Sequence, residues 1–338
     1  MPLKKLRLES FTVFDKLELE FSDGINIFIG ENGTGKTHIM KVLYAACQAS
    51  RKDVSFPQKL VGVFRPDGSN ITRLVKRAKK GVTASVEVSS DLASIRTKFS
   101  TQTKKWDADT TGEEKWEKQH DKLISTFIPA KEILSHAFQF EAAYLKNAID
   151  FDETYVDIIA AAKININPGP VPAVMKKYMD KLKNILDGSV TIEQDKFYLK
   201  PGTQAKLEFH LVAEGLRKLA LLWQLIKNGT LERGTILFWD EPEANINPVA
   251  VSALVDILLE LQREGVQIFL ATHDYILAKY FEVNMIPEDK VMFYSLTKNG
   301  ESKVVCNQNR FFRDLTENPI IKAYNVLLDE VINKNLGD

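Results

Sequence analysis

The segment that most constrains the fold is Gly30–Thr37, which reads Gly-Glu-Asn-Gly-Thr-Gly-Lys-Thr. It fits the pattern G-x-x-x-x-G-K-T of a phosphate-binding loop, follows the apolar run Ile25–Ile29 and precedes the helical periodicity of His38–Ala49. In such a strand, loop and helix, glycines let backbone N–H groups surround phosphate oxygens, and the N-terminus of the helix adds positive potential. The pattern therefore predicts an α/β chain that binds a nucleotide.

The side chains of this loop have distinct expected roles. Lys36 is expected to reach the β and γ phosphates of ATP, and Thr37 to offer its hydroxyl group to Mg²⁺. The residues expected to contact the nucleotide here are Gly30, Glu31, Asn32, Gly33, Thr34, Gly35, Lys36 and Thr37. ATP and Mg²⁺ are therefore the predicted cofactors.

Two carboxylates follow a second apolar strand, Gly234–Trp239. In a Walker B element Asp240 would hold Mg²⁺ through water or Thr37, and Glu241 would orient and deprotonate the attacking water. The alternative is the solvated start of a helix, where acids favour the helix dipole. Because a phosphate-binding loop needs such a carboxylate pair, we predict that Lys36 and Glu241 are catalytic and that Thr37 and Asp240 hold the metal.

Strands alternate with helices over much of the chain, which favours a mostly parallel sheet. We predict a P-loop fold of the α/β class, with a parallel core sheet, an antiparallel β lobe and a helical sub-lobe. We expect one domain, 1–338, with three sub-regions. These are 1–128 with the phosphate-binding loop and β lobe, 129–204 with the helical sub-lobe and connecting strands, and 205–338 with the remaining motifs.

Three local predictions concern the less regular parts of the chain. Ile71–Val75 and Val82–Val88 are expected to form a hairpin across a basic turn. The polar segment Lys104–Lys122 is expected to be a surface insertion or loop. A break in the helical sub-lobe is expected at Asn165–Pro172, where prolines and a glycine cluster.

The order of motifs resembles that of ABC-type ATPase heads, especially the compact SMC/OLD-like ATPases often classed as AAA. After the phosphate-binding loop, the chain has a helix that opens with Glu214-Gly215 and contains Arg217, then the Asp-Glu-Pro-Glu-Ala-Asn run from 240, and then Thr-His-Asp around His273. The resemblance covers residues 1–50 and 205–280 strongly and the middle of the chain loosely.

The resemblance implies roles for several further residues. Ala213–Gly215 would be the signature that reaches across a dimer to the nucleotide, with Glu214 and Gly215 in contact with it. Asn245–Pro248 would be the D-loop, with Asn245 near the nucleotide. His273 would be the switch histidine that touches the γ phosphate, which makes it a third catalytic candidate.

The sequence departs from this family's pattern at two places. The signature usually has a serine where this chain has Ala213, so a hydroxyl that would meet the partner's γ phosphate is missing; the Gly215 N–H and the helix dipole remain. The Q-loop position falls near 127–132, and either Glu132 or Gln139 is a candidate to sense Mg²⁺.

Composition excludes several classes of protein. Lys and Arg number 45, as do Asp and Glu, so overall charge indicates no polyanionic partner. The two cysteines, Cys47 and Cys306, cannot build a disulfide framework, and no apolar run is long enough to span a bilayer or form a signal peptide. The histidines lack zinc-site spacing. A cytoplasmic protein without a membrane partner is the expectation.

Positive charge is nevertheless concentrated in one region. Residues 51–105 contain 13 basic and 4 acidic residues, a local net charge of +9, with Lys76, Arg77, Lys79 and Lys80 in the predicted turn. These residues could neutralise phosphates of nucleic acid, contact an acidic protein, or only keep a strand edge soluble. The sequence leaves these three interpretations open.

The function expected from these features is an ATPase that dimerises head to tail around Mg-ATP. By analogy with bacterial defence and toxin–antitoxin systems, it would control a separate effector protein. The alternative is a DNA-repair or chromosome-associated ATPase, which would be expected to carry long heptad repeats between 36 and 214 that are not found here. A transporter subunit and an OLD-type nuclease are disfavoured by the degenerate signature and by the short segment after His273.

Overall fold

A computed structural model describes residues 2–77, 81–121, 123–164, 173–301 and 303–336. Within these ranges no helix is both long and apolar enough to cross a membrane. The α-helices are α1 (Lys36–Gln48), α2 (Phe56–Phe64), α3 (Glu113–His120), α4 (Phe140–Leu145), α5 (Glu153–Lys163), α6 (Ala173–Leu186), α7 (Glu214–Lys227), α8 (Pro248–Arg263), α9 (Tyr275–Asn284) and α10 (Pro319–Leu336).

The strands of the described residues form three sheets. They are β1 (Leu3–Phe11), β2 (Phe14–Glu20), β3 (Ile25–Gly30), β4 (Thr83–Ser90), β5 (Ser94–Ser100), β6 (Asp109–Thr111), β7 (Ser125–Ile128), β8 (Ser189–Glu193), β9 (Lys196–Lys200), β10 (Leu207–Glu208), β11 (Ile236–Asp240), β12 (Gln267–Thr272), β13 (Val291–Lys298) and β14 (Val304–Asn309).

The central sheet has six strands in the order β14-β13-β3-β12-β11-β7. Neighbouring strands from β13 to β7 are parallel, and β14 adds an antiparallel edge. Parallel strands place their carboxyl ends at one edge of the sheet, which is where ligands bind in α/β proteins. The ends of β3, β11 and β12 therefore define the edge at which the predicted motifs meet.

Two apolar cores lie on the two faces of this sheet. Leu237 and Trp239 of β11 contribute to the core under α7 and α8, whereas Ile236 and Phe238 contribute to the core that includes α1 and the antiparallel lobe. Alternate residues of one strand are thus buried on opposite faces, which explains the fully apolar sequence of the strand. Trp239 is fully buried.

The antiparallel lobe is a five-stranded sheet of order β2-β1-β4-β5-β6, and a smaller sheet has the order β10-β9-β8. Helices α4, α5 and α6 come between β7 and β8 along the chain. The predicted P-loop fold, with a mostly parallel core sheet, an antiparallel β lobe and a helical sub-lobe, is confirmed.

The predicted hairpin of Ile71–Val75 with Val82–Val88 is wrong. Residues Ile71–Leu74 form a 3₁₀ turn, and β4 pairs instead with β1 and with β5, the next strand along the chain. Asn70 caps the 3₁₀ turn, because its side chain accepts a hydrogen bond from the Thr72 N–H at 3.1 Å. Such a local hydrogen bond competes with strand pairing, and the alternation of apolar and polar residues does not reveal it.

The segment Lys104–Lys122 was expected to be a surface loop, and this too is wrong over part of its length. It contains β6 and α3, and the Trp116 side chain of α3 is fully buried, with its indole N–H donating to the Ala46 carbonyl oxygen at 2.8 Å. A single large aromatic residue anchors an otherwise polar helix, so average hydrophobicity gives a misleading prediction. The predicted break at 165–172 lies outside the described residues.

Candidate nucleotide-binding site

The phosphate-binding loop connects the last residue of β3, Gly30, to the first residue of α1, Lys36. Gly30, Gly33 and Gly35 have φ values of 143°, 76° and 93°, in the region that favours glycine. A Cβ on Gly30 would overlap the Leu296 carbonyl oxygen, and one on Gly35 would overlap the Phe14 ring. The loop thus needs glycine both for its backbone conformation and for its close packing.

The Lys36 ammonium group lies inside the curve of this loop. Its Nζ donates hydrogen bonds to the carbonyl oxygens of Gly30 at 2.7 Å and Glu31 at 3.0 Å. Burial lowers the pKa of Lys36, although the charges of Asp240 and Glu241 oppose that shift. The Thr34 hydroxyl group also donates to the Glu31 carbonyl oxygen, at 2.8 Å, which fixes the loop. A cation is therefore positioned where a phosphate would enter.

The first turn of α1 contacts the end of β11 through a single hydrogen bond. The Thr37 Oγ1 donates to Asp240 Oδ2 at 2.9 Å, across 203 residues of sequence. Burial raises the pKa of Asp240 to about 6, and the charge of Glu241 adds to the shift, whereas the Thr37 hydrogen bond lowers it. Two hard oxygen ligands side by side suit Mg²⁺, whose charge would favour the ionised carboxylate. These residues fit the predicted metal.

Glu241 and His273 approach each other at the ends of adjacent strands. Asp240 of β11 is paired with Ala271 of β12, so the residues that follow each strand emerge side by side. His273 Nδ1 lies 3.3 Å from Glu241 Oε1, and both side chains are accessible to solvent. A carboxylate with an adjacent imidazole is a suitable group to accept a proton from water.

The signature segment lies against the D-loop of the same chain. Ala213 is exposed and precedes α7, and Gly215 is buried in its first turn. A Cβ on Gly215 would overlap the Asn245 carbonyl oxygen and would lie 2.9 Å from the Ile246 Cα. Asn245 has a φ of 64°, a left-handed conformation that asparagine tolerates. The predicted signature and the predicted D-loop are thus in direct contact within one chain.

The two candidates for the Q-loop residue differ in their surroundings. Glu132 is buried, and its carboxylate accepts hydrogen bonds from Arg217 Nε at 2.6 Å and from the Ser135 hydroxyl group at 2.9 Å. Arg217 also donates to the Val212 carbonyl oxygen at 2.6 Å, which holds the segment before α7. Gln139 is exposed. Glu132 is therefore connected through Arg217 to the segment that precedes α7.

Sequence reasoning missed two buried charged residues beside the site. Lys218, on α7, donates from Nζ to the Glu241 carbonyl oxygen at 3.1 Å. Glu243 accepts a hydrogen bond from the Thr272 hydroxyl group at 2.6 Å. The signal for Lys218 was its position four residues after Glu214, which places both on one face of α7.

The strand order, the phosphate-binding loop and the carboxylates that follow β11 define an ABC-type P-loop ATPase of the SMC-like class. The chain belongs to the family described as "AAA domain, putative AbiEii toxin, Type IV TA system", whose sequence model matches residues 25–278. This is a family of ATP-binding ATPases, so the predicted membership of the ABC-type group is confirmed.

Curated relatives match over a short segment. The RecF DNA replication and repair protein of an Exiguobacterium species is 34% identical over 83 residues, which is 24% of this chain and 22% of RecF. RecF of Bacillus thuringiensis is 32% identical over 77 residues, 23% of this chain and 20% of RecF. The match thus spans only about a fifth of the length of these relatives.

Two solved SMC heads share the fold over nearly the whole chain. An SMC head bound to the C-winged helix domain of ScpA has a TM-score of 0.62 at 13% identity and covers 93% of this chain and 99% of its own. An SMC head with an extended coiled coil, bound to the C-terminal domain of ScpA from Pyrococcus furiosus, has a TM-score of 0.54 at 12% identity and covers 98% and 99%. At these identities the likeness supports the fold alone.

Proposed function

We propose that this chain binds Mg-ATP and hydrolyses it, and that two copies close head to tail around the nucleotide. The observation that carries the proposal is the meeting of three strand ends at one edge of the sheet. There, Lys36 lies in its loop, Thr37 donates to Asp240, and Glu241 lies beside His273. A cation, a pair of metal-binding oxygens and a base are the groups that phosphoryl transfer to water requires.

In this proposal each residue contributes one step. Lys36 and the N–H groups of the loop bind the β and γ phosphates and stabilise the charge that develops on them. Thr37 and Asp240 would hold Mg²⁺, which neutralises phosphate charge when bound. Glu241 orients a water molecule and accepts its proton, and His273, next to it, contacts the γ phosphate.

Exposed apolar residues next to the motifs support a second copy on this face. Leu211, which precedes the signature, is 71% exposed; Val249, which follows the D-loop, is 88% exposed; and Ile276, which follows His273, is 42% exposed. Exposed apolar groups clustered around polar functional residues are typical of interfaces. We infer that the partner copy covers them and brings its Glu214 and Gly215 to the nucleotide.

Static light scattering of the Glu241→Gln variant tests this proposal, because binding without turnover should accumulate the closed pair. With Mg-ATP the mass should double relative to the nucleotide-free protein, and with Lys36→Ala it should not change. Phosphate release by the wild type is measured in parallel. A wild-type protein that releases no phosphate, or a Glu241→Gln variant of constant mass, would contradict the proposal.

We further propose that a separate effector protein of a bacterial defence system binds α10. The second turn of this helix is anchored, since Tyr324 stacks on Tyr275 with ring centroids 4.0 Å apart. Beyond it, five large apolar side chains are between 42% and 57% exposed: Val326, Leu327, Leu328, Val331 and Ile332. An apolar helix face of this kind fits an apolar groove on another protein.

Because Tyr275 follows His273 by two residues and stacks on Tyr324, α10 would link a bound effector to the helix that begins at the site. Proteins encoded by the neighbouring genes can be purified and titrated against the wild type and against a Leu327→Glu, Val331→Glu double variant. Binding that only the wild type shows, with equal ATPase rates, is expected. Equal binding by both proteins would exclude α10 as the effector surface.

The alternative, a DNA-associated ATPase, is favoured by the RecF relatives, which are named for DNA replication and repair. Within the described part of the basic segment, Lys76 is paired with Asp15 at 2.6 Å and Arg73 with Asp67 at 2.8 Å, which reduces the positive charge available to phosphates. On the exposed face of the antiparallel lobe, Arg7 is likewise paired with Glu18 at 2.9 Å. A DNA-binding face would be expected to have cations free for phosphates.

A further inference from the structure

Lys218 is a buried cation that the proposed reaction does not use. It lies on α7, four residues after Glu214, and is 1% exposed. Burying an ammonium group without compensation is costly, so a buried lysine needs hydrogen bonds or opposite charges nearby. Its Nζ donates to the main-chain oxygen of Glu241 at 3.1 Å. Burial lowers the pKa of Lys218, and the negative charges of Glu214 and Glu243 oppose that shift.

The carbonyl group that Lys218 contacts belongs to a residue with a strained backbone. Glu241 has a φ of 47°, a left-handed conformation that costs a non-glycine residue about 1 kcal/mol or more. Its N–H donates to the Ala271 oxygen at 2.9 Å, and its carbonyl oxygen also accepts from the Ala244 N–H at 3.1 Å. These three hydrogen bonds hold the turn that directs the Glu241 side chain toward His273.

Glu243 lies on the other side of the same turn and is also buried. One of its oxygens is bound by Thr272, and the other, Oε2, has no hydrogen-bond partner among the described residues. Without nearby cations, the neighbouring carboxylates of Asp240, Glu241 and Glu243 would repel one another. Lys218 supplies a positive charge to this group from α7, within the protein core.

We propose that Lys218 is a positioning residue, which holds the backbone of Glu241 in its own chain so that the carboxylate faces the reacting water. The inference rests on the proposed ATPase function. Its consequence is that one helix serves two sites: Glu214 and Gly215 of α7 act on the partner's nucleotide, whereas Lys218 acts on the base of its own site.

Steady-state kinetics of Lys218→Met provide the first test, because methionine has a similar length and no charge. A positioning role lowers kcat about 10- to 100-fold, the range expected for a hydrogen bond from a charged group, and leaves KM and the Kd for ATP within about twofold. Lys218→Arg, which keeps a cationic donor, should recover part of kcat. Lys227→Met, at an exposed position of the same helix, is the control and should match the wild type.

Mixed dimers with two affinity tags provide the second test. One chain carries Glu241→Gln, so only the site built on the Walker residues of the other chain can turn over. Lys218→Met in that other chain, whose Glu241 is intact, should lower kcat 10- to 100-fold. The same change in the Glu241→Gln chain, which supplies only its signature, should have less than a twofold effect.

The possible outcomes are distinct. Equal losses in the two mixed dimers would mean that Lys218 only stabilises α7, and an unchanged kcat would also overturn the inference. If Lys218→Met does not fold, Lys218→Gln and Lys218→Arg take its place, and a kcat that is independent of the side chain contradicts the positioning role. Absence of phosphate release by the wild type would overturn the proposed function and this inference with it.

Discussion

Gly215 of α7 lies directly against the main-chain carbonyl group of Asn245, with no room for a side chain between them. The contact joins the start of α7, which carries the proposed signature, to the proposed D-loop, two segments separated by 29 residues of sequence. Because Lys218 on the same helix donates to the Glu241 carbonyl oxygen, α7 contacts the turn after β11 at two points. Movement of α7 would therefore be expected to move the base.

Replacing Gly215 by alanine should destabilise the protein, although alanine is normally the better helix former by about 1 kcal/mol. The new methyl group would overlap the Asn245 oxygen, and overpacking costs about 1–3 kcal/mol. Urea unfolding measures the loss, and the ATPase rate should fall with it. Gly300→Ala, at a glycine whose Cβ would meet no atom within 4 Å, is the control and should leave stability within about 0.5 kcal/mol. Equal stability of the two variants would contradict the close contact.

Lys36→Ala should abolish ATP hydrolysis and weaken nucleotide binding sharply. Its ammonium group is positioned inside the phosphate-binding loop by the carbonyl oxygens of Gly30 and Glu31, and alanine removes the cation from that position. Calorimetry with Mg-ATP measures the affinity. If the variant is folded by circular dichroism and its affinity for Mg-ATP is unchanged, the assignment of Gly30–Thr37 as a phosphate-binding loop is contradicted.

Glu241→Gln should preserve ATP binding and slow turnover by about 10² to 10⁴, the scale for losing a general base. Glu243→Gln should keep the rate within about tenfold, because its carboxylate is buried and bound to Thr272 rather than beside His273. Single-turnover phosphate release separates the two variants. A wild-type rate for Glu241→Gln together with a slow Glu243→Gln would transfer the role of base to Glu243.

The sequence predicted the central sheet and its motifs because each had a strong local signal. The apolar runs predicted strands that are buried on both faces, and the glycine loop predicted the P-loop fold. Together these signals placed Gly30–Thr37 and Asp240 correctly at strand ends. The parallel register of β11 and β12 brings Glu241 beside His273. Strands that alternate with helices predicted a mostly parallel sheet, but they did not predict which strands are neighbours. The strands and motifs could be predicted because one amino-acid sequence alone displays the patterns on which they depend.

Contacts between distant segments could not be predicted in the same way. The pairing of β4 with β1 depends on a strand 70 residues or more away, and the 3₁₀ turn at Ile71–Leu74 competes locally with the predicted hairpin. The burial of Trp116 and Lys218 likewise depends on which surface each helix faces. A lysine four residues after a glutamate is ordinarily a solvated pair, so its burial here had no unambiguous signal in the sequence.

The stability of the protein should depend on His38 as the pH falls. Burial lowers the pKa of this side chain to about 4, its Nδ1 lies 3.0 Å from Thr12 Oγ1, and its ring packs on Phe64. Because the folded pKa is below the unfolded value of about 6.5, protonation favours the unfolded chain. This contribution is therefore complete above pH 6.5 and is lost as the pH falls toward 4.

At pH 5 the loss should be at most about 2 kcal/mol relative to pH 7.5. Urea unfolding of the wild type and of His38→Gln at both pH values isolates the contribution of His38. The carboxylates are common to both proteins, so their contribution cancels in the difference between the two free energies of unfolding. The stability of the variant relative to the wild type should rise at pH 5. Parallel pH dependences of the two proteins would contradict the shifted pKa.

Binding of duplex DNA should be weak and sensitive to salt, which would favour the regulatory ATPase over a DNA-acting one. Lys76 is already paired with Asp15, and Lys79 and Lys80 lie outside the described residues. The test variant replaces Lys76, Arg77, Lys79 and Lys80 with glutamate. A control with the same change in charge replaces four lysines of α6, namely Lys176, Lys177, Lys181 and Lys183, with glutamate.

Fluorescence anisotropy with labelled duplex over a range of salt concentrations distinguishes the two functions. If the basic segment contacts phosphates, log K for the wild type falls with log salt by about 0.9 per phosphate, and binding is lost in the test variant but not in the α6 control. ATPase activity without DNA should survive in both variants. Tight binding near physiological salt that only the test variant loses would overturn our preference for the regulatory ATPase. Such an affinity requires cations that are free to contact phosphates, which cations paired within the chain cannot supply.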